Sequence, residues 1–221
     1  MKVLLQWVVP LLPWKLRRWL LNHVWNYEIA PDAIIGLSWF FPKKLVMRPR
    51  SRIGHFSLAK GVELVYLGES ARIGNLNWIT GFPMTASRFF SHQTNRRPCL
   101  ILGRHTAVTN RHLIDCTSEV RIGDFTTVAG FRTQILTHSI DLVACRQHSE
   151  TITIGKFCFI GTGCTLLGGT TLPDYSVLGA ASLLNKRFED SYRLYGGVPA
   201  RELKKLAPES GYFQRKVGYV Y

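Results

Sequence analysis

Aliphatic residues recur at every sixth position over residues 154–184. The positions are Ile154, Ile160, Leu166, Leu172, Leu178 and Leu184. A small residue follows four positions after each of the first five: Cys158, Cys164, Thr170, Ser176 and Ser182. An amphipathic helix would repeat near 3.6 residues, and a half-buried strand would alternate strictly. A period of six instead predicts a solenoid in which three hexapeptides form one triangular coil and the aliphatic side chains stack into a continuous core.

The same period continues upstream with interruptions. Aliphatic or small residues lie six apart in four earlier segments: Ile53 with Ala59, Ile73 with Ile79, Leu102 with Val108 and Ile114, and Ile122 with Val128. Residues 82–98 and 139–150 lack the pattern, and we predict that both are loops extruded from the solenoid, where function is often located. The repeat thus predicts a solenoid domain over residues 31–187, followed by a C-terminal helix and tail over 188–221.

Residues 1–30 are predicted to form a separate amphipathic segment. The uncharged stretch before Lys15 is shorter than the roughly 20 apolar residues of a membrane span and contains prolines. It also lacks the features of a cleaved signal peptide. A helix after Pro13 would carry one apolar face, formed by Leu16, Trp19, Leu20, His23, Val24 and Tyr27, with Lys15, Arg17 and Arg18 off that face. Binding to an anionic membrane surface and packing against the protein itself both fit this pattern.

The overall charge favours anionic partners. Lys and Arg number 28 against 14 Asp and Glu, a formal net charge of +14. Nucleic acid, anionic lipid and phosphorylated small molecules all suit such a surface, but no nucleic-acid-binding motif is present. The five cysteines are odd in number and form no CxxC, which argues against disulfides and zinc. We therefore expect a cytoplasmic protein without a metal, located at the inner face of the membrane if the helix binds lipid.

Three features together resemble one family. The hexapeptide pattern, the histidine in "LTHSID" and the closing "YGGVPARELKKL" resemble the left-handed parallel β-helix acyltransferases, in particular the galactoside, maltose and serine acetyltransferases and their polysaccharide-modifying relatives. The resemblance covers about residues 53–206. It implies an all-β left-handed parallel β-helix that forms homotrimers, binds acetyl-CoA between subunits and acetylates a saccharide. The acceptor pocket cannot be carried over, because the region before Arg50 has no counterpart to the family's N-terminal helices.

The resemblance also implies roles for individual residues. His138 corresponds to the catalytic histidine, and Phe159 to an aromatic residue that covers the acceptor. The remaining positions correspond to cofactor contacts: Gly161 and Thr162 at the thioester, Gly179 and Ala180 along the pantetheine arm, and Lys186 and Arg201 near the nucleotide phosphates.

Direct acyl transfer needs a base for the acceptor proton and donors for the oxyanion. Histidine suits the first task because its pKa lies near neutrality. Asp141 either orients the imidazole of His138 or is a solvated loop carboxylate. His112 occupies a small inward position of the repeat, so either the coil opens there or the imidazole joins an active site with Arg111 and Asp115.

Other functions remain compatible with the sequence. The same base would serve an N-acetyltransferase acting on an amino sugar or a nucleotide amino sugar. Gamma-type carbonic anhydrases share the solenoid and bind zinc through three histidines, but the spacing of the seven histidines does not suggest such a site. A non-catalytic scaffold at the membrane is a third hypothesis. If the acceptor is lipid-linked, as in surface polysaccharide synthesis, an N-terminal helix that binds the membrane would bring the enzyme to its substrate.

Overall fold

The computed structural model describes residues 2–85 and 87–220, with side chains described from residue 5 onward except at 87. The chain begins with α1 (Lys2–Val8), a 3-10 turn (Val9–Leu11) and α2 (Trp14–Val24). Successive triangular coils of three short strands follow, and we number the coils from the N-terminus.

One segment that leaves the solenoid, between coils 3 and 4, interrupts the strands of the first four coils. Coil 1 contains β1 (Glu28–Ile29), β2 (Ile34–Ile35) and β3 (Trp39–Phe40); coil 2 contains β4 (Lys44–Met47), β5 (Arg52–Ile53) and β6 (Leu58–Lys60); coil 3 contains β7 (Leu64–Leu67), β8 (Arg72–Ile73) and β9 (Trp78–Thr80). After the short helix α3 (Ser87–Phe90), coil 4 contains β10 (Cys99–Leu102), β11 (Ala107–Val108) and β12 (Leu113–Asp115).

The remaining coils follow the same order. Coil 5 contains β13 (Val120–Ile122), β14 (Thr127–Val128) and β15 (Gln134–Leu136), and a hairpin of β16 (His138–Asp141) and β17 (Arg146–Ser149) comes next. Coil 6 contains β18 (Ile152–Ile154), β19 (Phe159–Ile160) and β20 (Thr165–Leu167), and coil 7 contains β21 (Thr171–Leu172), β22 (Val177–Leu178) and β23 (Leu183–Leu184). The chain ends with β24 (Arg193–Gly196), β25 (Arg201–Lys205) and α4 (Gly211–Gln214).

The coils stack so that equivalent strands pair in parallel. First strands form sheet A, second strands sheet B and third strands sheet C, and β24 and β25 extend sheet B beyond the last coil. The six predicted aliphatic positions of the repeat are at most 1% exposed. Glycine follows the core isoleucine where coils approach closely: a Cβ on Gly123 would lie 2.6 Å from the carbonyl carbon of Gly155. The period of six therefore sets both the core and the spacing of the coils.

The chain leaves the solenoid twice where the repeat pattern is lost. The first excursion runs over residues 81–98 and includes α3, and the second over residues 137–151 is the β16–β17 hairpin. Each excursion leaves the end of a sheet C strand and returns to sheet A. Both therefore project from the same corner of the triangular prism, which we call the A/C corner.

The N-terminal helices cap the first coil, and two residues of the predicted apolar face of α2 stay exposed while a residue off that face, Arg17, is buried. The helix buries Arg17 and Leu21, whereas Leu16 and Trp19 are 48% and 55% exposed. The Arg17 guanidinium donates to the carbonyl oxygens of Gly36 at 2.7 Å and Ser38 at 2.9 Å.

The reason lies in the direction of the coil-to-coil hydrogen bonds. Many of these bonds run from an N–H of one coil to a carbonyl of the next coil. The corresponding carbonyls of coil 1 have no preceding coil to donate to them. Arg17 supplies those missing donors, and burial lowers its pKa to about 10. None of the helices in the described residues is long and apolar enough to cross a membrane.

We predict that the core ladder dominates stability. Leu172→Ala removes a fully buried side chain and should lower the free energy of unfolding by about 2–5 kcal/mol. Leu142→Ala is the matched control, because Leu142 is 86% exposed. Urea denaturation followed by circular dichroism measures both, and similar midpoints for the two variants would contradict the ladder.

Candidate active site

His138 begins the hairpin at the A/C corner, and a carboxylate from another coil fixes its backbone. The N–H of His138 donates to Oδ2 of Asp115 at 2.8 Å. The same carboxylate accepts the hydroxyls of Thr137 at 2.8 Å and Thr117 at 2.6 Å. Asp115 therefore ties the end of β12 to the point where the hairpin leaves the solenoid, which sets the starting position of His138.

The imidazole of His138 is oriented by Gln147 on the opposite hairpin strand. Nε2 of the ring lies within hydrogen-bond distance of Oε1 of Gln147. An amide oxygen only accepts, so Nε2 carries a proton in this arrangement, and in the neutral imidazole Nδ1 is then the acceptor. Within the described residues, Gln147 is the hydrogen-bond partner of this ring, and the side chain is half-buried. The hydrogen bond to Gln147 thus fixes the orientation of the ring.

The first excursion packs against the face of the hairpin that carries His138. Phe82 and Phe90 meet the imidazole edge-on, with ring centroids 5.4 and 5.8 Å away. The Arg96 guanidinium lies 4.2 Å from the Phe90 ring centre and donates to the Thr117 carbonyl at 2.6 Å. Burial lowers the pKa of Arg96, and this cation holds the aromatic wall in place.

An amide also joins the two excursions directly. Oε1 of Gln93 accepts the backbone N–H of Ser149 at 3.1 Å, and its Nε2 donates to the Ser149 carbonyl at 3.0 Å. The two excursions therefore form one unit around His138.

Two cavities adjoin this unit. A polar cavity of about 560 Å³ lies between the base of the hairpin and the end of the first excursion, and its lining includes Asn95, Arg97, Ser118, Glu119, Glu150 and Arg187. A smaller cavity of about 340 Å³ reaches the residue that holds the imidazole, and its lining comprises Arg88, Phe89, Ile140, Cys145, Arg146 and Gln147. The smaller cavity combines an apolar wall with two cations beside the His138 unit.

The structure gives Asp141 a role in the hairpin turn, not at the imidazole. Its Oδ1 accepts the N–H groups of Ala144 at 3.0 Å and Val143 at 3.1 Å, and Oδ2 lies 3.5 Å from Nε of Arg146. The Ala144 bond and the nearby cation lower the pKa of Asp141. The expected orienting role thus belongs to Gln147, which the sequence analysis missed because the pairing depends on hairpin register.

His112 is a structural residue, and the expectation that the coil opens there is wrong. Only 2% of its surface is exposed. Nδ1 accepts the N–H of Thr133 at 3.1 Å, so Nε2 carries the proton toward Oγ1 of Thr109, 3.0 Å away. Its backbone N–H donates to Asn77 at 2.9 Å. The imidazole thus joins coils 4 and 5, the backbone N–H adds a bond to coil 3, and burial lowers the pKa of His112 to about 4.

Gly161, Thr162, Gly179 and Ala180 lie together at a different corner. They follow the sheet B strands of coils 6 and 7, at what we call the B/C corner. At the equivalent position of coil 1, the backbone N–H of Leu37 donates to Nδ1 of His55 in coil 2, at 3.1 Å. The N–H groups of Thr162 and Ala180 have no acceptor within the described chain, and both residues are exposed. Two backbone donors on adjacent coils are therefore without a partner within the described chain.

The other predicted cofactor residues lie near this end of the solenoid. Phe159 is on the outer face of sheet B, with its ring 5.9 Å from that of Tyr212. It helps to line a cleft of about 710 Å³ between sheet B and the C-terminal segment. Lys186 and Arg201 are exposed, and neither pairs with a carboxylate among the described residues. The ammonium of Lys186 lies 5.1 Å from the Phe188 ring centre.

A single chain does not bring the candidate base and the candidate cofactor contacts together. His138 lies at the A/C corner, Thr162 and Ala180 lie at the B/C corner, and sheet C runs between the two corners. Every strand of sheet C places one large apolar side chain on the outer face of the sheet, beside polar residues on five of the strands. These apolar residues are Trp39, Leu58, Trp78, Leu113, Leu136, Leu167 and Leu183, and Trp78 is 58% exposed.

Comparison with known proteins shows what this fold is. No family model and no curated protein sequence matches the chain. A maltose O-acetyltransferase from Clostridium difficile 630 superposes with a TM-score of 0.52 at 19% identity, over 64% of this chain and 69% of that one. NeuO, a polySia-specific acetyltransferase, gives 0.52 at 16% identity, over 81% and 82%.

A third similar structure is a variant of AntD, an N-acyltransferase from Bacillus cereus, in complex with dTDP-4-amino-4,6-dideoxyglucose and coenzyme A. It gives a TM-score of 0.55 at 15% identity, over 81% of this chain and 84% of that one. The likeness confirms the predicted left-handed parallel β-helix, the fold of hexapeptide-repeat acetyltransferases. Among the described residues, no cluster of three or more His, Cys, Asp or Glu side chains could hold a metal ion.

We predict that His112 makes stability sensitive to acid. Its pKa is lowered from 6.5 to about 4 in the folded chain, so between these values the unfolded state binds a proton that the native state excludes. Its contribution is fully present above about pH 6.5 and falls by up to about 1.4 kcal/mol per pH unit toward pH 4. Urea midpoints of the wild type should therefore fall more steeply with pH than those of His112→Gln.

His23→Gln is the control, because His23 is exposed on α2. This variant should keep the slope of the wild type. Equal slopes for the wild type and His112→Gln would show that the imidazole of His112 is not excluded from protonation in the native state.

Proposed function

We propose that the protein is an acyltransferase that transfers the acetyl group of acetyl-CoA to a saccharide hydroxyl, with His138 as the general base. The observation that carries the proposal is the imidazole of His138, which Gln147 orients and the aromatic residues of the first excursion cover on one side. The fold supports the same reaction class, since the three similar structures are named as acetyl- or acyltransferases.

The proposed mechanism uses only direct transfer. Nδ1 of His138 accepts the proton of the acceptor hydroxyl while the oxygen attacks the thioester carbonyl carbon. Backbone N–H groups stabilise the negative charge on the carbonyl oxygen. The imidazolium then returns the proton to the departing thiolate. No protein nucleophile is needed, and burial raises the pKa of Cys158 to about 12, which keeps its thiol protonated.

The B/C corner fits coenzyme A. The unpaired N–H groups of the exposed residues Thr162 and Ala180 suit the amide-bearing pantetheine arm, and acetyl-CoA supplies the activated acyl group when bound. Lys186 and Arg201 are exposed cations without carboxylate partners, and they suit the nucleotide phosphates. The net charge of +14 favours such a polyanion in general.

We further propose a cyclic homotrimer that completes the site. Three triangular prisms placed with sheet C toward a threefold axis would bury the large apolar side chains of its outer face, including Trp78. In that arrangement the A/C corner of one copy lies beside the B/C corner of the next. His138 would then face the corner of a neighbouring copy that carries Thr162 and Ala180.

A saccharide acceptor, free or lipid-linked, suits the cavity beside Gln147. Phe89 and Ile140 offer an apolar wall for a sugar ring, and Arg88 and Arg146 suit an anionic group. The names of the similar structures mention maltose, polySia and a dTDP-amino sugar. An amino sugar is the second candidate acceptor because of the AntD complex, and we favour a role in surface polysaccharide synthesis.

We predict that His138→Ala folds normally but loses about 10²–10⁴-fold in turnover. Free-thiol release from acetyl-CoA, measured over a panel of sugars, amino sugars and nucleotide sugars, gives the rate and separates O- from N-transfer. CoA affinity, measured by calorimetry, should be unchanged. His92→Ala is the control, because His92 is an exposed histidine of the first excursion. Full turnover in His138→Ala would remove it from the mechanism.

The split site predicts complementation between two inactive variants. His138→Ala and the double variant Lys186→Glu/Arg201→Glu should each be inactive alone. Co-expressed at equal levels, random trimers would contain intact sites at about one quarter of the interfaces, so about a quarter of the activity should return. Activity that stays absent in purified mixed trimers would place both groups in a site within one chain.

A further inference from the structure

The N-terminal cap uses one side to close the solenoid and leaves large apolar side chains on the other. Leu21 and Val9 are 1% exposed within the core. On the side away from the solenoid, Trp7 is 67% exposed and Leu11 is 66% exposed. Trp19 and Leu16 of α2 are 55% and 48% exposed. Leu16 and Trp19 lie three positions apart on α2 and share one side of that helix, whereas Trp7 lies on α1 and Leu11 ends the 3-10 turn. We call Trp7, Leu11, Leu16 and Trp19 the cap surface.

The cap surface is flanked only by positive charge. Residues 1–27 contain no Asp or Glu, whereas Lys15 and Arg18 alternate with the outward residues of α2. The first acidic residue, Glu28, forms an ion pair with Lys44 at 2.6 Å. The cations beside the cap surface are therefore not neutralised by their own segment.

We propose that the cap surface binds the anionic surface of a lipid bilayer. The outward Trp and Leu side chains suit the boundary between head groups and acyl chains, and Lys15 and Arg18 suit lipid phosphates. With 11 residues, α2 is too short to span the bilayer and lies along it. Charge favours lipid over a second copy of the chain, because two facing caps would bring like charges together.

The position of the cap fits this partner. It covers the end of the solenoid, as the Arg17 bonds to coil 1 show, so the three sheets stay free when the end faces a membrane. In a cyclic trimer all three caps would point in one direction and would bind a bilayer together. Lipid binding does not require the proposed acyl transfer.

The test is co-sedimentation of the full chain with vesicles of phosphatidylcholine, alone or mixed equally with phosphatidylglycerol. The wild type should bind the mixed vesicles at least about tenfold more tightly than the neutral ones. Trp7→Ser/Trp19→Ser and Lys15→Glu/Arg18→Glu should each weaken binding to the mixed vesicles at least about tenfold. Dibrominated lipid should quench tryptophan fluorescence in the wild type and less in the first variant.

Lys204→Glu/Lys205→Glu is the matched control, since it makes the same charge change on exposed β25 beyond the last coil. This control should bind like the wild type. An equal loss in the control would show general charge attraction and overturn the proposal, as would no binding of the wild type to mixed vesicles.

Self-association provides a further outcome. A smaller assembly of Trp7→Ser/Trp19→Ser in light scattering would show that the cap surface contacts another copy, and would overturn the proposal. Acetyl transfer to a soluble acceptor, measured on the same variants, separates this result from the proposed activity.

Discussion

The structure depends on the hydrogen bonds between successive coils. Gly74 donates its N–H to Val108, and Gly123 donates to Ile154, each at 2.8 Å, and equivalent bonds recur from coil to coil. Such a ladder requires every coil to keep the same path, which places an aliphatic residue inward at each sixth position and glycine where a Cβ would meet the next coil. Extra residues can leave only at a corner, and both excursions leave at the A/C corner. The juxtaposition of Phe82, Phe90 and His138 follows from that restriction.

The same ladder makes the two ends of the solenoid chemically different. The first coil has carbonyls without donors, and Arg17 satisfies several of them from the cap. The last coil has N–H groups without a following coil, and β24 accepts one of them through Gly179 and Tyr195. The unpaired N–H of Ala180 belongs to this end, and that of Thr162 lies one coil before it. The unpaired N–H of Ala180 is thus a consequence of how a parallel solenoid ends, whereas that of Thr162 is not, because coil 7 follows it.

Three segments position His138: the end of β12, the second strand of the hairpin and the first excursion. Asp115 fixes the backbone, Gln147 fixes the ring, and the aromatic residues of the first excursion cover one side. The proposed base is therefore preorganised within one chain. The proposed cofactor contacts lie across sheet C from it, so the proposed chemistry depends on assembly. The large apolar side chains on the outer face of sheet C are consistent with that requirement.

The sequence alone determined the period of six, the buried aliphatic positions and the segments where the chain leaves the coils, because these depend on spacing along one chain. His138 was also identified from its motif, although its proposed role awaits experiment. Only the tertiary structure decided the other roles. Asp115 lies 23 residues from His138 and meets it through stacking, and Gln147 instead of Asp141 meets the ring through hairpin register. Arg17 and His112 were misjudged because their partners are carbonyls and N–H groups of other coils, which periodicity does not encode.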